Sequence, residues 1–217
     1  MSRELVVNTF VSLDGVMQGP GGPEEDPTGG FELGGWTVPH WNDEMGQVMR
    51  EFMGKPFDLV LGRKTYEIFA AYWPHSDQPG AAELNRATKY VVSRTLEDLE
   101  WENSQLLRGD VGEAVGRLKE EDGPELQVHG SSNLIQTLHR EGLVDRFQMF
   151  IFPVVLGKGK RLFAEGAPPA TLRLVDSKVF DTGVVWAVFE PAGEVQTGSF
   201  AADEPSEAER RRREGLR

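Results

Sequence analysis

The 217-residue chain has no cysteine, which excludes disulfides and thiolate chemistry. It has no apolar run near the roughly 20 residues that a membrane-spanning helix needs. Its first ten residues, MSRELVVNTF, lack the apolar core and small-residue cleavage site of a secretory leader, so a cytoplasmic location is expected. Positive charge is scarce: 23 Lys and Arg stand against 35 Asp and Glu, a formal net charge of −12. Such a chain repels nucleic acid and anionic membranes as a whole, and any anion it binds must be held by a local positive site. Four histidines, His40, His75, His129 and His139, show no metal-ligand spacing, so no metal is expected. Also missing are the G-x-G-x-x-G dinucleotide fingerprint, a Walker loop, a G-x-S-x-G elbow and an H-E-x-x-H helix. The segment LGKGKRLF offers Gly157 and Gly159 but no third glycine.

What is present is an alternation of strand and helix signals. ELVVNTFVSLDG reads as a strand over residues 5–12 and a turn at Asp14-Gly15. Trp41, Met45, Val48, Met49 and Phe52 recur at helical spacing behind a cap at Asn42 or Asp43. A short buried strand at 57–61 is followed by a helix at 63–72, stopped by Pro74. Further strands are expected at 89–93, in SQLLRG and in ELQVHG, and further helices at 80–87, in VGEAVGRLKEED and in SSNLIQTLHREG. This order predicts an α/β sheet with helices on both faces. RFQMFIFPVVLG, TLRLVDSKVF and VVWAVFEP then follow without a long helix between them, which predicts antiparallel strands at the C-terminal end. Their large apolar residues on both faces also predict a homodimer built through this region. Residues 16–39 are rich in Gly and Pro yet contain Phe31 and Trp36. They read as a lid over a site or as a floppy insertion.

Three strand ends share one chemistry. After Leu61 comes Gly62-Arg63-Lys64-Thr65; after Val92 comes Ser93-Arg94-Thr95; after His129 comes Gly130-Ser131-Ser132-Asn133. In an open parallel sheet, ligands bind beyond the carboxyl ends of the strands. Helices that start there aim free N–H groups and a positive dipole end at a ligand. Arg63 and Arg94 add charge-assisted hydrogen bonds to phosphate. Each feature alone also fits an ordinary cap or a turn with a solvated cation; their recurrence in one sheet is what suggests a phosphate-rich ligand.

VSLDG, LVLGRKTYE, KYVVSRT, LQVHGSSNLIQTL and FPVVLGKGKRLF occur in an order and spacing that resemble the dihydrofolate-reductase-like family. That family includes the C-terminal reductase domain of riboflavin-biosynthesis enzymes and its stand-alone relatives. The resemblance runs over residues 4–191. It implies a central sheet of about eight mostly parallel strands in a single three-layer domain, with NADPH bound across it. It further implies that Gly62, Arg63 and Thr65 hold the pyrophosphate and adenosine side and that Ser93 and Arg94 meet the 2′-phosphate. Gly130, Ser131, Ser132 and Asn133 would cradle the pyrophosphate, and Phe10, Ser12 and Met17 would lie near the nicotinamide. It points to homodimers as well. The implied activity is hydride transfer to a small heterocyclic or carbonyl/imine substrate, in the manner of riboflavin-type or folate reductases. Asp14 and Glu44 are the candidate catalytic acids. The same two positions fit a turn and the first turn of a helix.

The zinc-binding deaminase domain of many riboflavin reductases and the short substrate loop of folate reductases have no counterpart here. A non-catalytic nucleotide-binding protein on the same fold therefore stays open. Residues 192–217, polar and ending near four arginines, Arg210–Arg213, are expected to form a disordered charged tail. A nucleic-acid role for that tail ranks below a solvated one.

Overall fold

Apolar stretches separated by glycine and polar turns build one eight-stranded sheet in the computed structural model, which describes residues 2–200 and 204–216. The strands are β1 (Leu5–Ser12), β2 (Phe57–Gly62), β3 (Lys89–Val92), β4 (Ser104–Leu107), β5 (Glu125–His129), β6 (Arg146–Phe152), β7 (Leu172–Val179) and β8 (Val185–Pro191). Their spatial order is β4-β3-β2-β5-β1-β6-β8-β7. The first six in that order pair in parallel, and β8 runs antiparallel to both β6 and β7. The mostly parallel sheet with antiparallel C-terminal strands is thus the architecture that the strand signals predict.

The helices are α1 (Asp43–Met53), α2 (Arg63–Tyr72), α3 (Ala81–Arg86), α4 (Val111–Glu120), α5 (Ser132–Arg140) and α6 (Glu207–Glu214). Asn42 caps α1 by accepting the Met45 N–H at 2.9 Å, and Asp110 caps α4 in the same way. Strand periodicity sorts the side chains into two cores. Leu5 and Val7 pack with Val115 and Leu118 of α4 and with Leu134, Ile135 and Leu138 of α5. On the opposite face, Phe150 and Phe152 pack with Met45 and Val48 of α1, and Leu59 and Leu61 pack with Tyr66 of α2 and Leu84 of α3. Helices α1 to α5 therefore each bury one stripe against a sheet that is apolar on both sides.

Residues 16–39 are tied to the domain. Phe31 and Trp36 are buried, and the Trp36 indole N–H donates to Gln18 O at 2.8 Å. At the other end, sheet contacts run past β8, where Ala192 N donates to Thr171 O. Helix α6 buries no residue, and its charges pair within the helix, Arg212 and Arg213 both meeting Glu209. No helix among the described residues is long and apolar enough to cross a membrane, and no group of three or more potential metal ligands is present among them.

Candidate functional site

Beyond the carboxyl ends of β1, β2 and β5 lies a groove of about 470 Å³. A hydrogen-bonded knot sets its floor. Strand β2 ends at Gly62 and α2 begins at once; β5 ends at His129, and the chain turns through Gly130 (φ 52°) and Ser131 (φ 54°) into α5. Ser131 N donates to Thr65 Oγ1 at 2.8 Å, and Gly62 N donates to Ser131 Oγ at 2.9 Å. Position 130 must be glycine for two reasons. Its φ is left-handed, and a Cβ there would lie 2.9 Å from Thr65 Oγ1. The knot holds the N-termini of α2 and α5 side by side, and neither carries a side-chain cap. Their first-turn N–H groups and positive dipole ends therefore stay available to an anion.

Of the residues expected at the cofactor, the structure brings Phe10, Met17, Gly62, Arg63 and Thr65 to this groove, together with Gly130, Ser131, Ser132 and Asn133. Lys64 and Lys160 add positive charge to its wall. Arg63 reaches sideways: its guanidinium meets Glu67 at 2.6 Å and donates to Thr95 Oγ1 at 2.6 Å.

Ser93 and Arg94 do not line the groove. The buried Ser93 hydroxyl accepts N–H bonds from Thr95 and Leu96 within its own turn. Arg94 is exposed at that turn, and Arg108 of the following segment donates to Leu96 O at 2.7 Å. Arg63, Arg94 and Arg108 thus surround one turn beside the groove. Arg108 carried no signal in the sequence, because it lies just beyond the short strand β4, whose apolar pattern is weak.

Three other expected residues serve the fold. Ser12 Oγ donates to Asp14 Oδ1 at 2.6 Å and accepts the Val16 N–H at 2.9 Å. Asp14 also accepts from Leu156 N and Gly157 N, at 3.0 and 2.8 Å. The Ser12 hydroxyl above all, with those backbone N–H bonds, outweighs partial desolvation and lowers the Asp14 carboxyl to about 2. Asp14 is therefore an ionised clamp between the β1 turn and residues 156–157, away from the groove. Glu44 is exposed on α1 and faces Lys178 of β7 at 3.8 Å. Neither acid expected to be catalytic reaches the groove.

The groove has two acids that the sequence did not single out, Glu25 and Asp26 of the Gly/Pro-rich segment. Asp26 pairs with Lys160 and accepts from Thr28 Oγ1. The Gln18 amide donates to Asp26 O and Thr28 O at 2.9 and 2.8 Å, and its oxygen accepts the Lys160 N–H. Lys64 reaches Thr28 Oγ1 at 3.4 Å, and Lys158 reaches Gly30 O at 3.2 Å. The segment therefore lies along the groove as a strap fastened from both walls. Beyond Phe10 the surroundings turn aromatic: its ring packs on Trp41, Phe150 and Phe152 with centroids 5.9, 5.5 and 5.8 Å away.

The family model described as the RibD C-terminal domain matches residues 3–186. The chain belongs to that family. A relative in Bacillus subtilis (strain 168), the uncharacterized protein YyaP, is 28% identical over 192 residues, spanning 86% of this chain and 94% of its own. A second uncharacterized protein of that organism, YwjB, is 27% identical over 187 residues, spanning 85% of this chain and 96% of its own. A pyrimidine reductase-like protein from Corynebacterium diphtheriae shares the fold with a TM-score of 0.58 at 12% identity, over 88% of this chain and 93% of the other. The RibD-type chain is thus built on the dihydrofolate-reductase-like sheet and is a member of a reductase-related family.

Proposed function

We propose that this protein is an NADPH-dependent reductase that transfers a hydride to a small heterocyclic or carbonyl/imine substrate. The observation that carries the proposal is the pair of uncapped helix N-termini, α2 and α5, knotted side by side on a groove whose wall holds Arg63, Lys64 and Lys160. An acidic chain that gathers cations and free N–H groups at one place is suited to a polyanion. The fit is local as well: the close approach of Gly130 to Thr65 leaves bare backbone where a pyrophosphate would lie.

Bound NADPH would supply the hydride. The chain's own residues would hold and orient it. Ser131, Ser132 and Asn133 at the α5 start, with Gly62 and Thr65 at the α2 start, would bind the pyrophosphate. Arg63 would face the adenosine side. Arg94, joined by Arg108, would favour a 2′-phosphate. Phe10 and Met17 would form the wall beside the nicotinamide, and the aromatic residues beyond Phe10 would exclude water from a planar substrate. Action in the cytoplasm, a reductase domain over residues 1–191 and a charged tail over 192–217 belong to the same proposal.

Fluorescence titration with NADPH and NADH tests it. NADPH is expected to bind at sub-millimolar concentration and more tightly than NADH; no binding of either sinks the proposal. Arg94→Ala and Arg108→Ala are each expected to narrow the preference for NADPH. Equal affinity of the wild type for both cofactors would remove the 2′-phosphate assignment alone.

We also propose a homodimer through the C-terminal strands. Strand β7 is exposed along nearly its whole length and presents Leu174, Val175 and Val179 to solvent. Such an edge is normally covered. Light scattering on a sizing column should give twice the 24.1 kDa of one chain at tens of micromolar. A mass of one chain rules the dimer out.

A further inference from the structure

We infer that Glu25 is the proton donor of the groove: its half-buried carboxyl, paired with no cation among the described residues, delivers the proton that completes the reduction. This rests on the hydride-transfer function proposed above. Reduction of a C=O or C=N bond adds a hydride to carbon and leaves an electron pair on the heteroatom. The dihydronicotinamide would give up that one hydride, with the two electrons it carries, and so be oxidised. The heteroatom must then take one proton from an acid within reach. Here the Glu25 carboxyl O–H would break, the new O–H or N–H bond would form on the substrate, and water would reprotonate the carboxylate.

Few groups in the groove can do this. Among its described lining residues there is no histidine, tyrosine or cysteine, and the carboxyls are Glu25 and Asp26. These two neighbours sit in opposite environments. Burial works against the Asp26 charge, but the bonds from Lys160 and Thr28 outweigh it and lower its pKa. Glu25 has no ion pair among the described residues. Its partners are the Gly21 and Gly22 N–H groups; burial dominates over them, with the nearby Asp26 charge adding to it, and raises its pKa. The two carboxyls of one site are thus pushed in opposite directions, Asp26 toward the anion and Glu25 toward the acid.

The charged groups around Glu25 do not cancel this. Lys160 is paired with Asp26 and Arg63 with Glu67, while the Lys64 ammonium, which keeps its charge, is directed to Thr28 Oγ1 at 3.4 Å rather than to Glu25. Helix α5 brings only uncharged residues to the groove. The strap that carries Glu25 is firmly backed. Gly34 lies so close to the Gly22 backbone that a Cβ there would come within 2.4 Å of Gly22 O, and Trp36 and Gln18 fasten the same turn. The acid is therefore presented from a fixed support, on the same side of the groove as Met17 and Gln18.

A direct titration tests the assignment without knowledge of the substrate. Carbon-13 carboxyl NMR is recorded on glutamate-labelled wild type and on Glu25→Gln, which keeps an acceptor for the Gly21 N–H. The resonance lost in the variant should titrate above those of the exposed glutamates and rise further with saturating NADPH, whose phosphates disfavour a second anion. Calorimetry of NADPH binding in two buffers of different ionisation enthalpy should show proton uptake near that midpoint, up to about one proton. Glu25→Gln should show none. A Glu25 resonance that titrates with the exposed glutamates, or equal proton uptake in the variant, overturns the inference while cofactor binding stands. A wild type that binds no NADPH overturns the cofactor proposal and this inference with it.

Discussion

Replacing Thr65 by Val removes one acceptor from the knot beneath the groove and keeps the branched shape of the side chain. Thr65 Oγ1 is the partner of Ser131 N at 2.8 Å, and Thr65 is buried. The Ser131 N–H is part-buried, so leaving it unpaired costs about 1 kcal/mol, the low end of the range for a buried donor. Ser131 is also held at φ 54°, a left-handed conformation that costs a non-glycine residue about 1–2 kcal/mol. Without the Thr65 bond, relaxing that strain withdraws Ser131 Oγ from Gly62 N as well. A net loss of about 2 kcal/mol is expected, which for a chain of this size lowers Tm by about 4–8 °C. Differential scanning calorimetry reads it, and NADPH affinity should fall in parallel because both helix N-termini lose their common anchor. Ser131→Gly separates the contributions. It removes the strain and the Gly62 bond together, so its Tm should change by less than half as much as that of Thr65→Val. A Thr65→Val protein that melts within about 1 °C of wild type, or a Ser131→Gly protein that is the less stable of the two, would refute the reasoning.

Other outcomes follow from the charged and titratable groups. The folded Asp14 carboxyl is lowered from 3.8 to about 2, so its stabilisation is complete above pH 3.8 and is lost as pH falls through about 2. Asp14→Asn should therefore lower urea stability at pH 7, and the gap to wild type should close across that acid window. His129 is lowered from 6.5 to about 4 by burial. Between those values the unfolded chain binds a proton that the folded protein refuses, so wild type should lose stability as pH falls from 6.5 to 4; His129→Gln should flatten that stretch of the curve. Lys160→Met should leave Asp26 in the groove without its cation and weaken NADPH binding several-fold, as followed by fluorescence, with the weakening reduced at high salt.

Much of the scaffold was legible because its signals are local. Period-two and period-3.6 apolar patterns fixed β1 at residues 5–12 and α2 at 63–72, and the glycine followed by polar residues after β2 and β5 marked the groove floor. The antiparallel end was legible from three strand signals without intervening helices. The site was less legible where one residue type serves two ends. Ser12 and Asp14 look alike as a turn and as a site, and the reach of Asp14 to Leu156 and Gly157, more than 140 positions along the chain, is visible only in the fold. Glu44 sits on the expected helix, but its exposed position points it at Lys178. Glu25 and Asp26 were hidden in an aperiodic Gly/Pro-rich segment, whose path over the groove depends on Lys160, Lys64 and Gln18 rather than on any repeat of its own. Arg108 was hidden for a related reason: its place beside Arg94 comes from the parallel pairing of β3 with β4.

The most direct test of the central claim is a crystal structure of the wild-type protein grown with NADPH. The pyrophosphate is predicted to lie against the backbone N–H groups at the starts of α2 and α5, between Gly62 and Asn133, with the nicotinamide beside Phe10 and Met17 under the residue 16–39 strap. A cofactor bound elsewhere on the sheet, or a groove without it at saturating concentration, would contradict the account.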